Sequence, residues 1–181
     1  MDRILLQRIR EKDKDAFKEL YDKYGAYALR VAAAVTGSAA TAADAVQEAF
    51  IRVYYNLDKF DPDKPFEPWF YRILINECNR LTKKGSKVTY ISDYIETNLD
   101  VSEEDDYNFV EYEELYRAIR SLNGKIRIPI ILKYLRGFKE TEIAQILGIN
   151  LNTLKSRLYK GRQKLKRVLK DYGERSREYQ L

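Results

Sequence analysis

Asn152, Lys155, Ser156, Tyr159, Lys160 and Gln163 recur at steps of one, three and four residues, so on a helix they share one face. Their chemistry is recognition: amides that donate and accept, hydroxyls that do either, and ammonium groups that donate. From residue 155 to 170 there are eight basic residues and no acidic one. Lysine can reach guanine acceptors, asparagine or glutamine can pair with adenine, and the remaining cations suit phosphate. A second set lies at 72–83. Arg72, Asn76, Asn79, Arg80 and Lys83 fall on one side of a helix, with Trp69 and Ile73 along its edge. Phosphate suits the basic members, and an amide beside apolar surface suits an unstacked base.

Bond-making chemistry has few candidates. Histidine is absent and Cys78 is the single cysteine. That excludes a disulfide framework, a Cys/His zinc site and a histidine general base. Asp58, Asp61 and Asp63 could be imagined as metal ligands of a nuclease, but they crowd a proline-rich turn without a partner carboxylate motif. No metal site and no cofactor is expected, and the chain reads as a binding protein rather than an enzyme.

The elements that must carry these faces are helices. The 181 residues include only eight glycines and four prolines, which leaves little room for the turns of an all-β fold. Phe17, Leu20, Tyr21, Tyr24, Tyr27, Ala28 and Val31 repeat at helical period between Asp15 and Val35, and Thr36-Gly37-Ser38 breaks the pattern. A second helix is expected from about Ala40 to Leu57. After the turn-rich DKFDPDKPFEP, a third runs from Pro68 to Lys83, burying Phe70, Leu74, Cys78 and Leu81. Trp69 is expected as an anchor, whereas Asn76 faces outward. Near the C-terminus a short helix over 140–147, the left-handed candidate Gly148 and the N-cap candidate Asn150 spell a helix-turn-helix. Its second helix packs through Leu151, Leu154, Leu158, Leu165, Val168 and Leu169, with Gly161 allowing close approach.

Charge is distributed unevenly. Residues 1–84 sum to +2, residues 85–114 to −9 and residues 115–181 to +12. The basic end has the footprint of a polyanion binder. Ten carboxylates and no basic residue between Asp93 and Glu114 predict a self-repelling linker. The fold class expected is all-α: two small helical domains, 1–84 and 111–181, joined by an acidic linker at 85–110. No apolar run approaches the roughly 20 residues of a membrane span and no signal peptide is visible, so a soluble cytoplasmic protein without membrane insertion is expected.

EIAQILGINLNTLKSRLYKGRQKL closely resembles the promoter-reading end of bacterial RNA polymerase sigma factors of the extracytoplasmic-function (ECF) group. DAFKELYDKY, ADAVQEAFIRVY and PFEPWFYRILIN match that group's first domain in order and spacing, so the resemblance spans nearly the whole chain except the acidic linker. It implies a dissociable specificity subunit that binds core RNA polymerase and directs promoter-specific initiation; the alternative is a freestanding helix-turn-helix regulator. The clamp helices of the polymerase's largest subunit would meet Asp44, Gln47, Glu48, Ile51 and Arg52, and the flap of the second-largest subunit is a further expected partner. The minus-thirty-five element would be read through Asn152, Thr153, Lys155, Ser156, Tyr159 and Lys160, with backbone contacts from Lys133 and Arg136. The melted minus-ten strand would meet Asn56, Phe60, Arg72, Ile73, Asn76, Asn79, Arg80 and Lys83, a flipped base sitting among Asn56, Phe60, Ile73 and Asn76. An anti-sigma partner is also implied.

Four positions depart from the group's pattern. Lys139 stands where a serine often caps the scaffold helix, and Asn123 replaces a frequent proline. Pro129 should begin or kink a helix. Arg80 occupies a place where many relatives carry an acidic residue, which makes the DNA-facing surface more basic.

Overall fold

The computed structural model describes residues 3–85, 115 and 117–178, with side chains described as far as 83 and 170. The acidic stretch expected as a linker lies outside them. Every regular element among the described residues is helical, and the chain divides into two compact units, one built on the helices up to Gly85 and the other on those from residue 117 onward.

The first unit has four helices: α1 (Arg3–Arg10), α2 (Lys14–Thr36), α3 (Ala39–Asn56) and α4 (Phe66–Gly85), with a 3-10 turn at Leu57–Lys59. α1 was not anticipated; it buries Leu5, Leu6 and Ile9 and packs on α2 and the 3-10 turn. Asp13 caps α2, its Oδ1 accepting from the Asp15 and Ala16 amides at 2.9 and 3.1 Å. Those bonds, the Ala16 amide first and then Arg8, hold the Asp13 carboxyl below its ordinary value. The break at Gly37 is resolved as expected. Gly37 takes φ 74° and closes α2 by donating to Ala33 O, and Ser38 opens α3 by accepting from the Thr41 amide at 3.2 Å.

α3 packs against both α2 and α4 around an aromatic cluster. Phe50, Phe66, Phe70 and Tyr24 lie ring to ring at 5.1 to 5.9 Å, and Phe66, Phe70 and Tyr71 are fully buried. Tyr21 and Tyr27 do not join the core as expected: both stay about half exposed, because the α2 stripe that faces its neighbours runs through Ala16, Leu20, Tyr24, Ala28 and Val31. α4 begins at Phe66 rather than Pro68. Pro68 still lies in the first turn, where its missing N–H removes a donor that has no intrahelical partner.

The C-terminal helices are α5 (Gly124–Tyr134), α6 (Glu140–Leu147) and α7 (Leu151–Glu178), preceded by helical residues 117–121. Asn123 is the N-cap of α5, its Oδ1 accepting from the Ile126 amide at 3.1 Å. Pro129 therefore does not begin that helix, which is already under way five residues earlier. α5 packs against α7 where Gly161 removes the obstacle of a side chain. A Cβ at Gly161 would lie 2.7 and 2.8 Å from Ile130 carbons and 3.1 Å from Ile126 Cγ2.

Candidate nucleic-acid interface

The turn before α7 is built by three local devices. Lys139 offers no capping side chain to α6, but Glu142 reaches back and accepts from the Lys139 amide at 2.7 Å, which supplies half of a capping box. A residue three positions on thus partly offsets the missing side-chain cap. Gly148 adopts φ 62°, and the Ile149 amide donates to Ala144 O at 3.0 Å, closing α6 in a Schellman motif. Asn150 Oδ1 then accepts from the Thr153 amide at 2.7 Å and starts α7.

With the helix launched this way, Leu154, Leu158 and Gly161 face inward. Asn152, Lys155, Ser156, Tyr159 and Lys160 are exposed on the other side, and Thr153 is half-buried. Leu169, expected on the apolar stripe, is exposed as α7 runs on. Lys133 is half-buried near the end of α5. Arg136 is also half-buried, its guanidinium 5.9 Å from the Phe138 ring centre and its Nε enclosed, so part of this side chain serves packing.

In the first unit α4 separates two faces. Phe70, Leu74 and Cys78 are completely buried, joined by Tyr71 and Ile75, which widen the expected stripe. Burial pushes the Cys78 thiol up to about 12. Arg72, Asn76, Asn79, Arg80 and Lys83 are exposed, with Ile73 and Trp69 half-buried at the margin. This is the division the sequence predicts. Asn56 is half-buried at the end of α3, its amide donating to Arg52 O at 2.9 Å.

Phe60 departs from expectation. Its ring is 4% exposed, wedged 5.0 Å from Trp69 and 5.6 Å from Phe66, so it belongs to the core and does not stand outward. A loop phenylalanine beside two further aromatics gains more from burial than from water. The neighbouring aspartates have partners within the chain. Asp61 accepts from the Asp63 amide, the main cause of its lowered pKa, and pairs with Lys64, while Asp63 pairs with Arg3 at 2.7 Å.

Arg80 does not present an isolated cation either. Glu77 is the buried charged residue of this unit's described core, 4% exposed; it accepts from Arg80 at 2.6 Å and forms an ion pair with Arg52 of α3 at 2.5 Å. Arg80 also reaches Glu48 at 3.6 Å. The hydrogen bond that Arg80 donates to Glu77 is the leading cause of the raised Arg80 pKa. Glu48, Arg52, Glu77 and Arg80 thus tie the outer faces of α3 and α4 together. On α3, Asp44, Gln47, Ile51 and Arg52 are exposed and Glu48 is partly so. Beside them an open groove of about 770 Å³ runs between α2 and α3, its lining including Phe17, Tyr21, Gln47, Ile51 and Tyr55. Sequence reasoning missed Glu77, whose spacing to Arg80 is visible but whose partner Arg52 comes from another helix.

The Sigma-70 region 2 family matches residues 20–88, and Sigma-70, region 4 matches residues 112–165. The ECF RNA polymerase sigma factor SigW of Bacillus subtilis is 33% identical over 180 residues, covering 92% of this chain and 95% of its own. The chain belongs to the ECF RNA polymerase sigma factors. Within that family, the sigma-E factor of Escherichia coli K12 is 29% identical, covering 90% of this ECF sigma factor and 91% of its own length. Among solved structures, the sigma factor RpoE of Bartonella quintana in complex with the anti-sigma factor NepR aligns with TM-score 0.68 and 26% identity, over 87% of this chain and 98% of its own. CnrH in complex with the cytosolic domain of CnrY shares the fold at TM-score 0.71 and 24% identity, over 94% and 97% of the two chains. Among the described residues of this ECF sigma factor, no helix is long and apolar enough to cross a membrane.

Proposed function

We propose that this chain binds core RNA polymerase and directs initiation at promoters by reading the minus-thirty-five and minus-ten elements. The observation that carries the reading is the pair of sigma regions, 2 and 4, each falling on helices with an exposed polar and basic face. A freestanding regulator would account for the helix-turn-helix but not for the region 2 helices. Recognition is supplied by this chain, and the chemistry of RNA synthesis by the polymerase.

Residues 1–84 form the polymerase-binding and minus-ten domain, 85–110 the linker and 111–181 the minus-thirty-five domain. Asp44, Gln47, Glu48, Ile51 and Arg52 meet the clamp helices of the largest subunit, and the C-terminal domain meets the flap of the second-largest. Asn152, Thr153, Lys155, Ser156, Tyr159 and Lys160 read the minus-thirty-five element in the major groove, while Lys133 and Arg136 contact the backbone. Arg72, Asn79, Arg80 and Lys83 follow phosphate, and Ile73, Asn76 and Asn56 face an unstacked base. Phe60 supports this site from beneath. The action is in the cytoplasm, and an anti-sigma protein like those bound to the structural relatives is a partner.

The test is promoter-specific transcription with core polymerase and a promoter library randomised at both elements. Initiation that depends on this chain and enriches two separated motifs is expected. Tight binding to a duplex without polymerase, with no initiation in its presence, would overturn the reading.

A further inference from the structure

The turn that precedes α4 is held from an unexpected direction. Arg10, the last residue of α1, donates through Nη2 to Phe60 O at 2.7 Å and to Leu57 O at 3.3 Å. Its side chain is half-buried, and its Nε is enclosed without a partner of its own. The two carbonyls bracket the 3-10 turn that continues α3: Leu57 O, at its start, already accepts from the Phe60 amide at 3.1 Å, and Phe60 O caps its end, where a cation is favoured. A charged donor on carbonyls partly shielded from water makes a stronger tie than a neutral one. α1 also packs directly on this turn, and Arg3 at its other end pairs with Asp63 across the same loop. Both of those side chains are more than three-quarters exposed, so that second tie adds little.

The far side of the turn carries Phe60, which seats on Trp69. Trp69, Ile73 and Asn76 follow one another at i, i+4 and i+7 along α4, so the turn docks on the same strip of helix that continues into the base-facing residues. Asn56 immediately precedes the turn.

We propose that Arg10 is a positioning residue for minus-ten recognition: by fixing the 57–60 backbone it sets Asn56 against the Ile73–Asn76 strip, and so sets base preference without touching DNA. The inference rests on the assignment of the minus-ten site above. Nothing in the region 2 match assigns a role to α1, since that match begins at residue 20.

The experiment compares wild-type, Arg10→Ala and Arg10→Lys holoenzymes on promoters selected by the wild type, each carrying single-base changes in the minus-ten or the minus-thirty-five element. Arg10→Ala is expected to lower discrimination at the minus-ten base by about fivefold or more. Discrimination at minus-thirty-five and affinity for core polymerase should stay at wild-type levels. Arg10→Lys, which keeps the charge but loses the forked donors, should fall between. Wild-type discrimination in Arg10→Ala overturns the proposal, as does an equal loss at both elements. Should Arg10→Ala fail to fold, Arg10→Lys is judged by the same comparison. If the wild-type holoenzyme itself shows no base preference at minus-ten, the site assignment fails, and that result is separable from the failure of Arg10.

Discussion

Replacing Gly161 with alanine tests the contact on which the recognition helix is seated. The added Cβ would meet Ile130 Cγ1 at 2.7 Å and Cδ1 at 2.8 Å, and Ile126 Cγ2 at 3.1 Å. Carbon atoms prefer about 3.5–4.0 Å, so α7 or Ile130 must move by roughly an ångström. Ile130 is 2% exposed, which leaves it little space to turn into. Overpacking of this size costs about 1–3 kcal/mol. Alanine returns about 1 kcal/mol through its better helix propensity. The net expectation is a loss of about 1 kcal/mol, measured by urea unfolding followed through far-ultraviolet circular dichroism. The sharper test is the pair with Ile130→Ala, which alone costs about 2–5 kcal/mol as a cavity. Because that change removes both of the nearest atoms, the double variant should be more stable than the sum of the singles, by about 0.5–3 kcal/mol. Strict additivity, or a Gly161→Ala protein more stable than wild type, would refute the close approach.

Lys155→Ala and Tyr159→Ala should each cost about 1–3 kcal/mol in minus-thirty-five recognition and relax preference at one base position, read from promoter-variant competition. Glu77→Gln replaces the carboxylate shared by Arg52 and Arg80 with a neutral amide that keeps only one acceptor oxygen. Since both arginines are about half exposed, the loss should lie below the range for fully buried pairs, at about 2 kcal/mol of unfolding free energy. It should also loosen the hold on Arg80, strengthen its contact with phosphate and so steepen the salt dependence of promoter binding. Cys78, with its thiol held up near 12, should resist a disulfide reagent at neutral pH in the native protein and react promptly once urea unfolds it. Equal rates in the two states would show that the helix opens readily around it.

The helical periods of α2, α3 and α4 and the Gly148–Asn150 turn were legible because each depends on residues close in sequence. The division of α4 into a core and an outer face followed from the same period. What escaped the sequence depends on partners far along the chain. Phe60 reads as a loop aromatic until Phe66 and Trp69 close over it. Arg80 reads as an added cation until Glu77 and, from α3, Glu48 claim it. α1 is only eight residues long, too short to declare itself by period, and its meaning lies in Arg10 reaching carbonyls 47 and 50 positions away. Asn123 and Glu142 are short-range caps, each bonding a backbone amide three residues away, so their signals lie within the local sequence.

Trp69 is the only tryptophan in the chain, and it stands half-buried against Phe60 at the start of the strip that leads to Ile73 and Asn76. Its indole therefore serves as a native optical probe, sensitive to the polarity and quenching that an inserted nucleobase brings. Emission spectra can follow strand capture in real time without a dye. The same signal should stay silent when a duplex carrying only the upstream element is added, because the helix-turn-helix contains no indole to excite.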